Sequence, residues 1–143
     1  MKKAWIIAVI GVVLIGGVLV VDSIFPKAPP INCPSGEDVI SISISQNNDF
    51  VEIGAPINKD ILQTIRNAEP TRKMSVNDYP VVDPYYSIEI ETLERSYQYF
   101  VYSENSKVYI EIPYEGIYEA NQRLLDLVAD LLHKLTDLDS LKE

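Results

Sequence analysis

The feature that most constrains this chain is an uncharged run of eighteen residues, Ala4 to Val21, nearly all of them aliphatic. As a helix it would span roughly 27 Å, close to the roughly 30 Å of bilayer hydrocarbon. Lys2 and Lys3 precede it and Asp22 follows it. The run is therefore read as a single transmembrane helix, which makes the membrane the partner of residues 4–21. A cleaved signal peptide also begins with positive charge and an apolar core. Cleavage needs small residues before the cut, and the stretch after Gly17, Val-Leu-Val-Val-Asp-Ser-Ile-Phe-Pro, offers no good site. The reading is an uncleaved signal anchor over residues 1–22. The lysine pair keeps the N-terminus in the cytoplasm and sends the rest outside the cell membrane, with Trp5 at the inner interface.

Residues 23–36 carry Pro26, Pro29, Pro30 and Pro34 and are read as a stiff, extended linker. Cys33 is the only cysteine, so no internal disulfide is possible. Its neighbours Pro30, Ile31 and Asn32 do not suit lipid attachment, and an incidental free thiol is expected.

Residues 37–143 suffice for one domain with a core of its own. The whole chain has a net charge of −9. From Asp22 onward it holds all 21 acidic residues and ten of the twelve basic ones, so the outer part carries 10 − 21 = −11. That surface repels nucleic acid and attracts cations or basic peptides.

Periodicity supplies the elements. Ile40, Ile42 and Ile44 alternate with Ser41, Ser43 and Ser45, which predicts a half-buried strand. Gln46–Asp49 turns the chain into a short return strand over Phe50–Ile53. A helix follows, with Asn58 as its cap, Ile57 as a staple onto Leu62, and Ile61, Leu62, Ile65 and Ala68 as its apolar face. A three-strand meander comes next, turning at Leu93–Ser96 and Glu104–Lys107. All nine tyrosines fall between Tyr79 and Tyr118. Phe100, Tyr102 and Tyr109 lie opposite the aliphatic face, which suggests an open aromatic face for binding. Pro113–Gly116 is read as a strand-to-helix turn, and a last helix from about Ile117 to Leu138 presents a leucine seam. The fold expected is α+β: a mostly antiparallel five-stranded sheet, two helices packed on one face, and a transmembrane helix in front.

Ala68-Glu-Pro-Thr71, Ser75-Val-Asn-Asp-Tyr-Pro80 and Tyr109-Ile-Glu-Ile-Pro-Tyr-Glu-Gly-Ile-Tyr118 together give a recognisable pattern. Over Val39 to about Leu132 the chain resembles an uncharacterised family of short membrane-anchored proteins of Gram-positive bacteria. The resemblance implies a fold and a location and no activity.

The site expected is the long connection Pro70–Pro84. Arg72 and Lys73 form an adjacent basic pair in an acidic domain, and Ser75, Asn77, Asp78 and Tyr79 add polar and aromatic groups. Together they could clamp a carboxylate, a phosphate or a peptide backbone. The same serine, asparagine and aspartate could instead cap turns and tie the loop to the sheet. No catalytic constellation, metal cluster or cofactor motif is evident, so neither an enzyme nor a cofactor is expected, and His133 is read as exposed. The function expected is a membrane-anchored extracytoplasmic binding or sensory module. Its partner would be a membrane or cell-surface protein, or a peptide. The alternative is an assembly subunit of a membrane complex that uses the anchor and the C-terminal helix.

Overall fold

The computed structural model describes Ile10 and residues 26–47, 49–54 and 59–140, without the side chains of 135–140. The expected anchor lies outside this set except for Ile10, as do Asn58, Ile57 and the side chains of Leu135 and Leu138. Among the described residues no helix is long and apolar enough to cross a membrane.

Among the described residues seven strands form one sheet: β1 (Val39–Gln46), β2 (Asp49–Ile53), β3 (Glu69–Pro70), β4 (Tyr85–Thr92), β5 (Ser96–Glu104), β6 (Lys107–Ile112) and β7 (Gly116–Ala120). Among the described residues two helices pack with them, α1 (Lys59–Arg66) and α2 (Gln122–Ser140). The strand order is β2-β1-β4-β5-β6-β7-β3, and every pairing is antiparallel. The α+β class and the antiparallel sheet are as expected; the count of five is corrected to seven.

The two additional strands have separate causes. Ile117 and Tyr118 belong to β7, not to the last helix, because Gly116–Ala120 pairs along β6. Pro113–Glu115 thus joins two strands. The helix begins five residues later than expected, where the Asn121 side chain accepts the Leu124 amide at 3.2 Å as its cap. β3 is two residues paired to Glu119 and Tyr118 at the sheet edge. Pro70 is tolerated there because an edge position needs no inward donor.

One sheet face carries Ile42, Ile44, Ile88, Ile90, Tyr99, Val101, Val108 and Ile110, and all are buried. Ile61, Leu62 and Ile65 of α1 and Leu124, Val128 and Leu132 of α2 close over it. The leucine seam is thus satisfied by the sheet as far as Leu132. Ile40 departs from the alternation: it is 46% exposed, whereas Val39 is 8% exposed. A bulge between Val39 and Ser41 opposite β4 inserts one residue and flips the pattern.

The stretch read as a spacer is packed against the domain from Pro26 onward. Ala28, Ile31 and Cys33 lie on the main core. The Asn32 carbonyl accepts the Tyr99 hydroxyl at 2.5 Å, and the Pro34 carbonyl accepts the Arg66 guanidinium. Ala28 donates its amide to the Thr71 carbonyl at 2.9 Å. The Cys33 thiol is half-buried and bonded to the Leu62 carbonyl, and burial raises its pKa. Four prolines straighten this segment, and straightness lets it run along the sheet as well as away from it.

Candidate functional site

Topology explains the long connection. β3 lies at one edge and β4 four strand positions away, so residues 71–84 must cross β7, β6 and β5. At about 4.8 Å per strand that is roughly 19 Å. The segment runs over the face opposite the helices as a strap. The aromatic face expected to be open is therefore largely covered: Phe100, Tyr102 and Tyr109 are all buried.

The strap is tied down along its length. The Thr71 amide donates to the Ile117 carbonyl at 3.1 Å, and the Ile117 amide donates to the Lys73 carbonyl at 3.3 Å. Lys73 Nζ sits 2.7 Å from Glu104 Oε2 and 4.1 Å above the Tyr109 ring. The hydrogen bond to Glu104 raises the lysine pKa. Ser75 is 4% exposed and donates its hydroxyl to Glu111 Oε1 at 2.7 Å; Glu111 is 5% exposed. Burial first, and the Glu111 charge second, hold the Tyr102 phenol above its ordinary pKa. Asp78 accepts the Tyr114 hydroxyl at 2.7 Å. Beneath the strap, Tyr102, Tyr109 and Ile117 form a second small core with Val82 and Tyr85.

The three sequence motifs are thus one another's contacts. Thr71 meets Ile117, Ser75 meets Glu111, and Asp78 meets Tyr114. A buried carboxylate is costly to leave without donors, about 1–3 kcal/mol or more. The buried Ser75–Glu111 bond ties the strap to the sheet, while the Lys73–Glu104 and Tyr114–Asp78 pairs lie at the surface. Of the six residues singled out beforehand, Lys73, Ser75 and Asp78 are engaged in this way. Arg72 and Asn77 are exposed. The structure does not bring Arg72 and Lys73 into one clamp with Ser75, which points inward to Glu111.

Tyr79 is different. It is 60% exposed, and its ring lies 5.6 Å from Phe100 at 55°. Tyr85 meets Phe100 edge-on at 5.4 Å and 84°. These three rings wall a cavity of about 280 Å³ at the strap's far end, with Asp83, Ser45 and Ser87. Gln46 and Asn47 of the β1–β2 turn complete the rim. Sequence reasoning found Tyr79 and Phe100 here and missed the rest. Ser45 and Ser87 meet because β1 pairs with β4, directly opposite each other. A larger hollow of about 440 Å³ lies at the sheet's corner, between Pro34–Ile40 and the β4–β5 turn. It follows from the bulge and the turn, and the strap contributes nothing to it. Among the described residues no group of acidic, histidine or cysteine side chains could hold a metal ion.

Comparisons with known proteins agree on the domain. A model of the DUF5301 family, described as "Domain of unknown function (DUF5300)", matches residues 27–119. No curated protein matches. A solved structure, "NMR structure of the protein from Ruminococcus gnavus", is 36% identical, with a TM-score of 0.51 over 64% of this chain and 90% of that one. The residues matched by the family model include the packed leading segment from residue 27 onward.

Proposed function

We propose, for a chain that belongs to the DUF5301 family, that it is an extracytoplasmic binding module held at a Gram-positive cell membrane by residues 4–21. The strap fixes one wall of a small ligand site, and the polar end of β1 and β4 supplies the other. The observation that carries this reading is the cavity where Tyr79 and Asp83 of the strap meet Ser45 and Ser87 of the sheet. Its aromatic and polar mixture is that of a ligand site, and its size, just under the usual range of about 300–1,000 Å³, suits a headgroup or single residue.

A second reading, an assembly subunit, draws on the strap's outer surface. Met74, Val76 and Val81 are 66%, 66% and 86% exposed there, with Tyr114 beside Asp78. That apolar surface suits a protein partner.

Two measurements test the proposal. Protease added to intact protoplasts should digest the domain; a protected domain contradicts the anchored, outward placement. Amide shifts of the isotopically labelled full chain, titrated with a small cation, an anion, a methyl glycoside and a dipeptide, should change around Ser45, Asn47, Tyr79, Asp83 and Ser87. Shifts gathered at the Pro34–Ile40 hollow, or on the strap's outer surface, contradict the site.

A further inference from the structure

The proposed cavity has a composition that selects among ligands. Its walls hold three aromatic rings, Tyr79, Tyr85 and Phe100, and one ionisable carboxyl, Asp83, with no lysine, arginine or histidine. The rings are not stacked as a slab: Phe100 stands between the two tyrosines, tilted 55° from one and 84° from the other. Glu89 lies on the same sheet face as Ser87, and the chain from Asp22 onward carries a charge of −11. The strap's lysine is held at the other end, against Glu104 and Tyr109.

We infer that this cavity binds an organic cation, a substituted ammonium group, through the Tyr79 and Tyr85 rings and Asp83, with the buried Phe100 as the floor beneath them. The inference rests on the proposed binding role of the same cavity. The chemistry follows from the ring quadrupole. An ammonium whose hydrogens are replaced by alkyl groups loses little hydration on entering an apolar-walled site and is drawn to aromatic faces. Asp83 adds an opposite charge at the rim, and the surrounding acidic field raises the local concentration of any cation. An anion meets the same field as repulsion. A neutral sugar could use the rings, the serine hydroxyls and Asp83 as an acceptor, but gains nothing from the net charge. The volume, about 280 Å³, admits a trimethylammonium-sized group with part of its carrier.

The probe is tetramethylammonium chloride, with methyl glucoside and sodium acetate as comparisons. It is titrated into the full chain in micelles of an oligo(ethylene glycol) alkyl ether, whose headgroups carry neither an ammonium nor a sugar. Saturable shifts at Tyr79, Asp83 and Ser87 with tetramethylammonium are expected, absent with acetate and weakened by added salt. Tyr79→Ala and Asp83→Asn should each weaken the dissociation constant by about fivefold or more, within what cation–π and charge contacts supply. Tyr79 is exposed, so its variant should stay folded; Asp83→Asn keeps shape and removes charge. If methyl glucoside saturates the cavity and tetramethylammonium does not, the cation inference is overturned and the binding role stands. If none of the three shifts these residues, both fail. Tetramethylammonium binding that is indifferent to both variants overturns the assignment of its contacts.

Discussion

Removing residues 26–36 should lower the thermal midpoint of the domain by about 15 °C or more, if a cooperative transition survives at all. The comparison is between residues 26–143 and residues 37–143. Three side chains, Ala28, Ile31 and Cys33, leave the core with the segment. Burial of a large aliphatic side chain is worth about 1.5–3 kcal/mol, and these are partly buried. The Tyr99 hydroxyl loses the Asn32 carbonyl and the Arg66 guanidinium loses that of Pro34. Tyr99 is 1% exposed with the segment in place, and each hydrogen bond lost with it costs about 0.5–1.5 kcal/mol. The sum is at least about 3 kcal/mol, a large share of a domain stability of about 5–15 kcal/mol. Each kcal/mol moves the midpoint of a domain this size by about 4–8 °C. Midpoints within about 3 °C of each other would return residues 26–36 to the status of a spacer.

Gly116→Ala should destabilise residues 26–143 by about 3 kcal/mol. A Cβ at Gly116 would lie 2.5 Å from the Ala28 Cβ, whereas carbon atoms normally approach to about 3.5–4.0 Å. The backbone there has a φ of 158°, a region almost confined to glycine and costing other residues about 1–3 kcal/mol. Overpacking adds about 1–3 kcal/mol. Relief is possible if the leading segment lifts away, which predicts a coupling between the two experiments. In residues 37–143 the substitution should cost markedly less, because Ala28 is gone and backbone strain alone remains. Equal costs in both lengths would mean that Ala28 does not pack where the structure places it. Chemical denaturation of the four proteins measures the whole cycle.

Local pattern was legible and long-range pairing was not. The α1 face came directly from the spacing of Ile61, Leu62, Ile65 and Ala68, and the meander from its turns. β7 was misread because Ile117, Ala120 and Leu124 also fit a helical spacing, and only pairing with β6 decides between them. The bulge at Ile40 is invisible to alternation because the opposing β4 creates it. The strap's length was visible, and its cause was not. Without the strand order, fourteen residues look like a functional loop; with it, they are what a crossing of three strands requires. The candidate site suffered in the same way. Tyr79 stood out in the sequence, but Ser45, Asn47 and Ser87 join it only through the β1–β4 ladder. Arg72 and Lys73 drew notice by charge, and Lys73 proved to be a fastening, bonded to Glu104 and stacked on Tyr109.

The most direct test of the account is one side-by-side measurement on Tyr79→Ala/Asp83→Asn: its thermal midpoint and its tetramethylammonium titration, each against the unaltered chain. The account holds that Lys73, Ser75 and Asp78 fasten the strap and that Tyr79 and Asp83 face a ligand. It predicts a midpoint within about 8 °C of the unaltered chain, since two exposed substitutions together usually cost within about 1 kcal/mol, together with loss of the saturable shifts at Ser87 and Asn47. A midpoint that falls by about 15 °C or more would make both side chains part of the strap's fastening, and a titration unchanged by the two substitutions would place the cation elsewhere; either result contradicts it.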